Sequence, residues 1–132
     1  MPGTTPRILV CDDDEGIRGM LVAVLEAEGF EVACVGDGPA CLAAIAADPP
    51  DILVLDVMMP GMDGYQVMEA VRRDHQNADL KVVMLTARTA DEDIWTGWST
   101  GVDYYMAKPF DPDELLRFLH FLARSAAVSP VD

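Results

Sequence analysis

The sequence predicts an α/β fold, a doubly wound sheet of five parallel strands with helices on both faces. Two observations carry that expectation. Short apolar runs alternate with segments of helical period five times over, and successive βα units of that kind build a parallel sheet with right-handed crossovers. The apolar runs are also continuous where a half-solvated strand would alternate. Ile52-Leu53-Val54-Leu55 is apolar at four consecutive positions, as a strand covered on both sides must be.

Each element follows from its residues in turn. Arg7 to Cys11 reads as the first strand. Ile17, Met20, Leu21, Val24 and Leu25 then fall at i, i+3, i+4, i+7 and i+8, the stripe of an amphipathic helix. Gly29 stands where a C-terminal cap belongs. Glu31 to Val35 is the second strand, and Asp37 opens a second helix that carries Leu42 and Ile45 and ends at Pro49-Pro50. Gly36-Asp37-Gly38 begins like a dinucleotide fingerprint, but Cys41 occupies the third glycine position, so the segment reads as a turn. Ile52 to Val57 forms the third strand. The tight turn Pro60-Gly61-Met62-Asp63-Gly64 leads to a third helix on Val67, Met68 and Val71. Lys81 to Leu85 is the fourth strand, a weaker fourth helix follows Asp91, and Tyr104 to Met106 is the fifth strand. The last helix opens on Asp111-Pro112-Asp113-Glu114, a capping Asp with Pro at the first helical position.

Composition narrows the function. At 132 residues the chain has room for one domain, and 51% hydrophobic against 24% charged residues is an ordinary globular balance. Nine Lys and Arg face 23 Asp and Glu, a formal net charge of -14. That sign disfavours direct binding to nucleic acid, which depends on basic side chains neutralising phosphates. It disfavours anionic membrane surfaces too. No secretory h-region opens the chain, and no apolar run approaches the ~20 residues of a membrane span. Cys11, Cys34 and Cys41 are odd in number and lie in apolar segments, which predicts reduced, buried thiols in a cytoplasmic protein. Residues after Arg124 read as a tail or linker.

In an open parallel sheet, chemistry gathers beyond the carboxyl ends of the strands. There the sequence places Asp12-Asp13-Asp14-Glu15, Asp56, Thr86-Ala87 and Lys108-Pro109. Two carboxylates ~5 Å apart at an effective dielectric of about 20 repel by roughly 3 kcal/mol. Asp12, Asp13 and Asp56 must therefore share protons or hold a cation. A hard divalent ion such as Mg²⁺ suits such oxygens and readily bridges to a phosphate. Asp14 and Glu15 are accounted for as the acidic start of a helix, a role open to Asp12 and Asp13 as well. Asp56 is not, because it ends a dry strand. A lone carboxylate beside a cation, a lysine and a hydroxyl can act as a nucleophile toward a phosphoryl group, with Lys108 and Thr86 holding the phosphoryl oxygens.

Four segments carry a family resemblance: Ile8-Leu9-Val10-Cys11-Asp12-Asp13-Asp14-Glu15, Asp51 through Gly64, Val82-Val83-Met84-Leu85-Thr86-Ala87 and Gly101 through Phe110. In that order and spacing they resemble the receiver domain of two-component response regulators, across residues 6–124, with 125–132 left as a C-terminal tail or linker remnant. The resemblance implies the flavodoxin-like, CheY-like (βα)5 sheet with strand order 2-1-3-4-5. It implies that Asp56 accepts a phosphoryl group from a phosphohistidine on a sensor histidine kinase or phosphotransfer protein. Asp13, Asp56 and the Met58 carbonyl would ligate Mg²⁺ or Mn²⁺, with Asp12 acting largely through water. Thr86, Lys108 and the backbone N–H groups of Met58 and Ala87 would contact the phosphoryl group. The Lys108-Pro109 bond would be cis, and Tyr105 would be the switch aromatic that turns inward as Thr86 moves. The face of the fourth helix, fifth strand and fifth helix would then change to control a downstream protein or an effector domain absent from these residues. The resemblance leaves room for a phosphorylation-dependent dimer.

Trp95 and Trp98 serve either the core or a partner surface, and Met58 and Arg88 flank the path of an attacking water. His75 and His120 lack any catalytic neighbour in sequence and read as surface or packing residues. An aspartate-nucleophile phosphatase would place Asp-x-Asp after one strand and add a cap domain. A flavin carrier would have a Ser/Thr/Gly-rich first loop instead of four acids. A receiver-like module working without phosphorylation would have no need of the intact acidic, hydroxyl and lysine set. The expectation is a phosphoprotein switch and not a turnover enzyme.

Overall fold

In the computed structural model, residues 5–77, 79–87 and 102–127 are described. Five strands, β1 (Arg7–Cys11), β2 (Glu31–Val35), β3 (Ile52–Asp56), β4 (Lys81–Thr86) and β5 (Tyr104–Ala107), form one sheet in the order β2-β1-β3-β4-β5. Every pairing is parallel. Four helices are described: α1 (Glu15–Ala27), α2 (Gly38–Ala47), α3 (Gly64–Arg73) and α4 (Pro112–Ala127). A single 3₁₀ turn at His75–Asn77 follows α3. The helix expected after Asp91, its Trp95 and Trp98, and Arg88 all lie outside the described residues.

Side chains of a strand alternate between its two faces, and the sheet sorts its core accordingly. Leu9, Cys11, Leu53, Leu55, Val82 and Met84 meet Cys41 and Ile45 of α2 and Val67, Met68 and Val71 of α3. Their neighbours Ile8, Val10, Ile52, Val54, Val83 and Leu85 meet Leu21 and Leu25 of α1 and Leu115, Leu119 and Leu122 of α4. Every residue of β3 is buried, as its continuous apolar run requires.

The helix starts are set by the expected aspartates. Asp14 accepts from the Ile17 N–H at 3.1 Å and Asp37 from the Ala40 N–H at 2.7 Å. Asp63 and Gln66 make a reciprocal capping box at the start of α3. Gly29 follows α1 at φ +93°, the left-handed conformation that a glycine tolerates.

Some boundaries differ from expectation. β3 stops at Asp56, one residue before Val57, whereas β4 and β5 each run one residue further, because Thr86 still pairs with Ala107. α4 continues to Ala127, so helix extends three residues beyond the boundary read at Arg124. Cys34 is exposed while Cys11 and Cys41 are buried. The reason is topological: β2 is an edge strand, so only one of its flanks is paired.

At the end of the sheet opposite the acids, Arg7 binds several elements together. Its guanidinium reaches Glu31 at 2.7 Å, Asp48 at 2.7 Å and the Pro49 carbonyl at 3.0 Å. Its backbone N–H donates to Asp51 at 2.8 Å. Glu31 and Asp48 are well exposed, so each ion pair contributes little alone. Together they fix β1 against β2 and against the connection into β3.

Candidate functional site

The strand order reverses direction between β1 and β3, which opens a crevice at their carboxyl ends. Asp12 follows the last residue of β1, Asp56 ends β3, Thr86 ends β4 and Lys108 follows β5. Carboxylate oxygens of Asp12, Asp13 and Asp56 lie within 4.8 Å of one another. Asp12, Asp56 and Thr86 are 0%, 3% and 1% exposed, whereas Asp13 faces solvent.

Lys108 ties the crevice together. Its ammonium donates to Asp12 at 2.8 Å and to Asp56 at 3.2 Å, ninety-six and fifty-two positions away in the chain. Asp12 also accepts from the Asp14 N–H at 2.9 Å, and its carbonyl accepts from Arg18 at 2.8 Å. The Met58 N–H lies 3.3 Å from the same Asp56 oxygen that Lys108 reaches. Lys108 donates its own N–H to the Thr86 carbonyl at 2.7 Å, and the Lys108-Pro109 peptide is cis.

One ammonium facing three carboxylates leaves the crevice anionic. Burial, followed by the negative charge of Asp12, pushes the Asp56 carboxyl up to about 6 despite the opposing pull of Lys108. For Lys108 burial works downward, but the hydrogen bond to Asp12 and the charges of Asp56 and Asp12 together outweigh it and raise its pKa. Cys11, next to this acidic step, has its thiol pushed far up by a hydrogen bond with Cys41 and by burial. It is an inert floor and not a nucleophile.

The turn after β3 holds Asp56 from behind. Gly61 takes φ +78°, and the Gly64 N–H donates to the Val57 carbonyl at 2.9 Å. A Cβ on Gly64 would stand 2.6 Å from the Asp56 carbonyl oxygen, so only glycine lets α3 start this close to β3.

Of the residues singled out from sequence at the carboxyl rim, Asp12, Asp13, Asp56, Lys108 and the Met58 N–H come together in one crevice, and Thr86 is buried at the end of the strand beside β3. Tyr105 lies on β5, half-buried against the cluster that includes Met84 and Val102. Two contributors escaped the sequence reading. Arg18, on α1, supports the Asp12 backbone, and Tyr65, the second residue of α3, shares a hydrogen bond with Tyr105 through the two hydroxyls. The Asp63-x-x-Gln66 spacing does announce where α3 begins, and hence where Tyr65 sits. Nothing in the sequence pairs it with β5. His120 bonds Glu28 at 2.9 Å and lies on the Phe30 ring, a packing role. The side chain of His75 lies outside those described.

A parallel five-stranded sheet carrying buried acids, a hydroxyl and a lysine at one rim is the form of a phosphoacceptor switch, and comparison with known proteins agrees. Residues 8–120 match the family model for the response regulator receiver domain, and the chain belongs to that family. It is 44% identical over 110 residues to the DNA-binding response regulator MtrA of Mycobacterium tuberculosis (strain ATCC 25618 / H37Rv), an alignment covering 83% of this chain and 47% of that protein. It is 40% identical over 119 residues to the DNA-binding dual master transcriptional regulator RpaA of Synechocystis sp. (strain ATCC 27184 / PCC 6803 / Kazusa), covering 90% of this chain and 49% of that one. The chain thus spans about half the length of the curated relatives it matches. Among solved structures, the chemotaxis protein CheY4 of Vibrio cholerae superposes with a TM-score of 0.86 at 33% identity, over 90% of this chain and 99% of that one. Among the described residues no helix is long and apolar enough to cross a membrane.

Proposed function

We propose that Asp56 is the phosphoacceptor and that a sensor histidine kinase or phosphotransfer protein is the donor. A carboxylate oxygen of Asp56 attacks the phosphorus of a phosphohistidine; the P–O bond forms as the P–N bond breaks, and the imidazole leaves. The observation that carries this reading is the Lys108 ammonium held between Asp12 and Asp56 at 2.8 and 3.2 Å. A cation so placed favours the ionised nucleophile and lies within reach of an incoming phosphoryl oxygen. Thr86, at the end of the neighbouring strand, offers a hydroxyl to a second oxygen. The N–H groups of Met58 and Ala87 serve the remaining charge.

Three carboxylates whose oxygens approach within 4.8 Å suit a hard dication and no soft one, since the cluster offers neither imidazole nor thiolate. Asp13, Asp56 and the Met58 carbonyl would hold Mg²⁺ or Mn²⁺ directly, with Asp12 holding it largely through water. The bound ion would offset charge on the phosphoryl oxygens. Phosphorylation adds about −2 charge to Asp56, drawing Thr86 and Lys108 toward it and opening space for the Tyr105 ring. The consequence is a changed face at β5 and α4, read by a downstream protein or by an effector domain of a longer regulator, with a phosphorylation-dependent dimer as one form of output. On this reading the chain promotes only its own phosphorylation and dephosphorylation, works in the cytoplasm, and leaves contact with nucleic acid to other residues.

The test is direct. Asp56→Asn abolishes Mg²⁺-dependent labelling by an acyl-phosphate donor or a cognate kinase. Labelling of that variant at the rate of the unmodified protein would overturn the assignment.

A further inference from the structure

We infer that Arg18 is a positioning residue for the dication site: its guanidinium fixes the Asp12–Asp13 peptide and so holds the Asp13 carboxylate where it meets Asp56. The inference rests on the reading of Asp13 and Asp56 as ligands to Mg²⁺ and adds to it the residue that aligns them. Of the three clustered acids, Asp13 is the one that faces solvent, and packing alone does not place an exposed carboxylate. Its two neighbours are both held, and Arg18 reaches each of them. The Arg18 guanidinium donates to the Asp12 carbonyl at 2.8 Å, and the Arg18 backbone N–H donates to the Asp14 carbonyl at 3.0 Å. Asp12 is further pinned through its own N–H, which donates to the Val35 carbonyl at 3.2 Å. Its carboxylate takes the Asp14 N–H and the Lys108 ammonium. Asp14 in turn caps α1 through the Ile17 N–H. Asp13 therefore hangs from a peptide whose carbonyl is tied to α1.

Gly36, just past β2, makes room for this arrangement. A Cβ there would stand 3.0 Å from the Arg18 Nη1 that binds Asp12 and 3.5 Å from Cζ, so a larger residue crowds the guanidinium. The described glycines at positive φ are Gly29 and Gly61, so at Gly36 the lack of a side chain answers to space and not to backbone conformation. Charge and position pull opposite ways on a dication. As a plain cation beside the acids, Arg18 repels Mg²⁺, and its removal would tighten binding. As the anchor of the Asp13 backbone it aligns a ligand, and its removal weakens binding, as loss of an outer partner of a metal ligand commonly does. Anchoring outweighs repulsion, because a ligand that leaves its place forfeits its bond to the ion, whereas repulsion from a half-exposed charge is screened. The sign of the effect separates the two roles.

The experiment is a calorimetric titration of the metal-free full chain with Mg²⁺, for the parent, Arg18→Ala, Gly36→Ala and the double variant. Arg18→Ala is expected to bind Mg²⁺ about tenfold more weakly, the low end of the ~10–100-fold that outer partners of metal ligands contribute. Gly36→Ala keeps every charge but displaces the guanidinium, and it should weaken binding in the same direction. The double variant should bind no more weakly than Arg18→Ala, because the added methyl group then has no guanidinium to displace. The titration reads folded protein, so lower stability alone leaves the affinity unmoved. Gly36→Ala carries the test if Arg18→Ala does not fold. Either single variant binding Mg²⁺ as tightly as the parent or more tightly, or losses that add in the double variant, would overturn the inference. Asp13→Asn separates it from the reading of the site. If Asp13→Asn takes up Mg²⁺ like the parent, the ligand assignment fails and the role of Arg18 falls with it. If Asp13→Asn loses uptake while Arg18→Ala and Gly36→Ala keep theirs, only the role of Arg18 is lost.

Discussion

Asp56 must do two opposed things, stay buried and become charged, and its neighbours decide the balance. Burial and the charge of Asp12 raise its carboxyl to about 6, so the folded protein holds the Asp56 proton more tightly than the unfolded chain does. In the metal-free protein this contributes stability below the ordinary carboxylate pKa, and the contribution disappears as pH rises through about 6. A cation at the three carboxylates needs them ionised, so Mg²⁺ uptake competes with that proton. Added Mg²⁺ is thus expected to raise the unfolding temperature clearly at about pH 7.5 and much less at about pH 5. Equal increments at both would show that the ion binds elsewhere. The acids, Thr86 and Lys108 were all legible at this scale because each directly ends or follows an apolar run. The Lys108 bridge was only half legible. The sequence reading had Lys108 awaiting a phosphoryl oxygen, whereas its ammonium already sits on Asp12 and Asp56.

α3 shows how an element can serve a site that its side chains do not form. Its start is fixed by the Asp63–Gln66 box and by Gly64 pressed against the Asp56 backbone. Gly64→Ala forces backbone against backbone, and no flexible side chain is present to yield. A loss of about 1–3 kcal/mol in urea unfolding is expected, as for other overpacked sites, together with slower labelling of Asp56. An unfolding midpoint equal to that of the parent would mean that the turn adapts freely. Helix starts and strand centres were readable because capping and apolar periodicity are local properties. Strand ends were not, since whether Thr86 still belongs to β4 depends on Ala107 of β5, a residue far along the chain. The exposure of Cys34 was hidden for the same reason: the apolar run Val32-Ala33-Cys34-Val35 does not state whether it will lie in a central strand or an edge.

For the molecule as a whole, a formal charge of -14 on 132 residues sets a background of self-repulsion that opposes compactness. Monovalent salt with a screening length of ~10 Å at about 0.1 M should therefore raise the unfolding temperature by a few degrees in Mg²⁺-free buffer. A fall would mean that surface ion pairs such as Arg7 with Glu31 and Asp48 outweigh the repulsion. The fold class and the strand order were foreseen from alternating segments and a family likeness, and the structure has both. The connection between Tyr65 and Tyr105 was beyond reach because it depends on how α3 lies across the sheet. The Arg7 knot has a final consequence. A strand crowded with like charges at one tip would relieve itself by sliding along its neighbours, but β1 is moored at its other tip, about 16 Å away at the ordinary rise of a strand. With β1 paired on both flanks and moored at Arg7, a contact far from any phosphate helps hold Asp12 and Asp13 in register with Asp56.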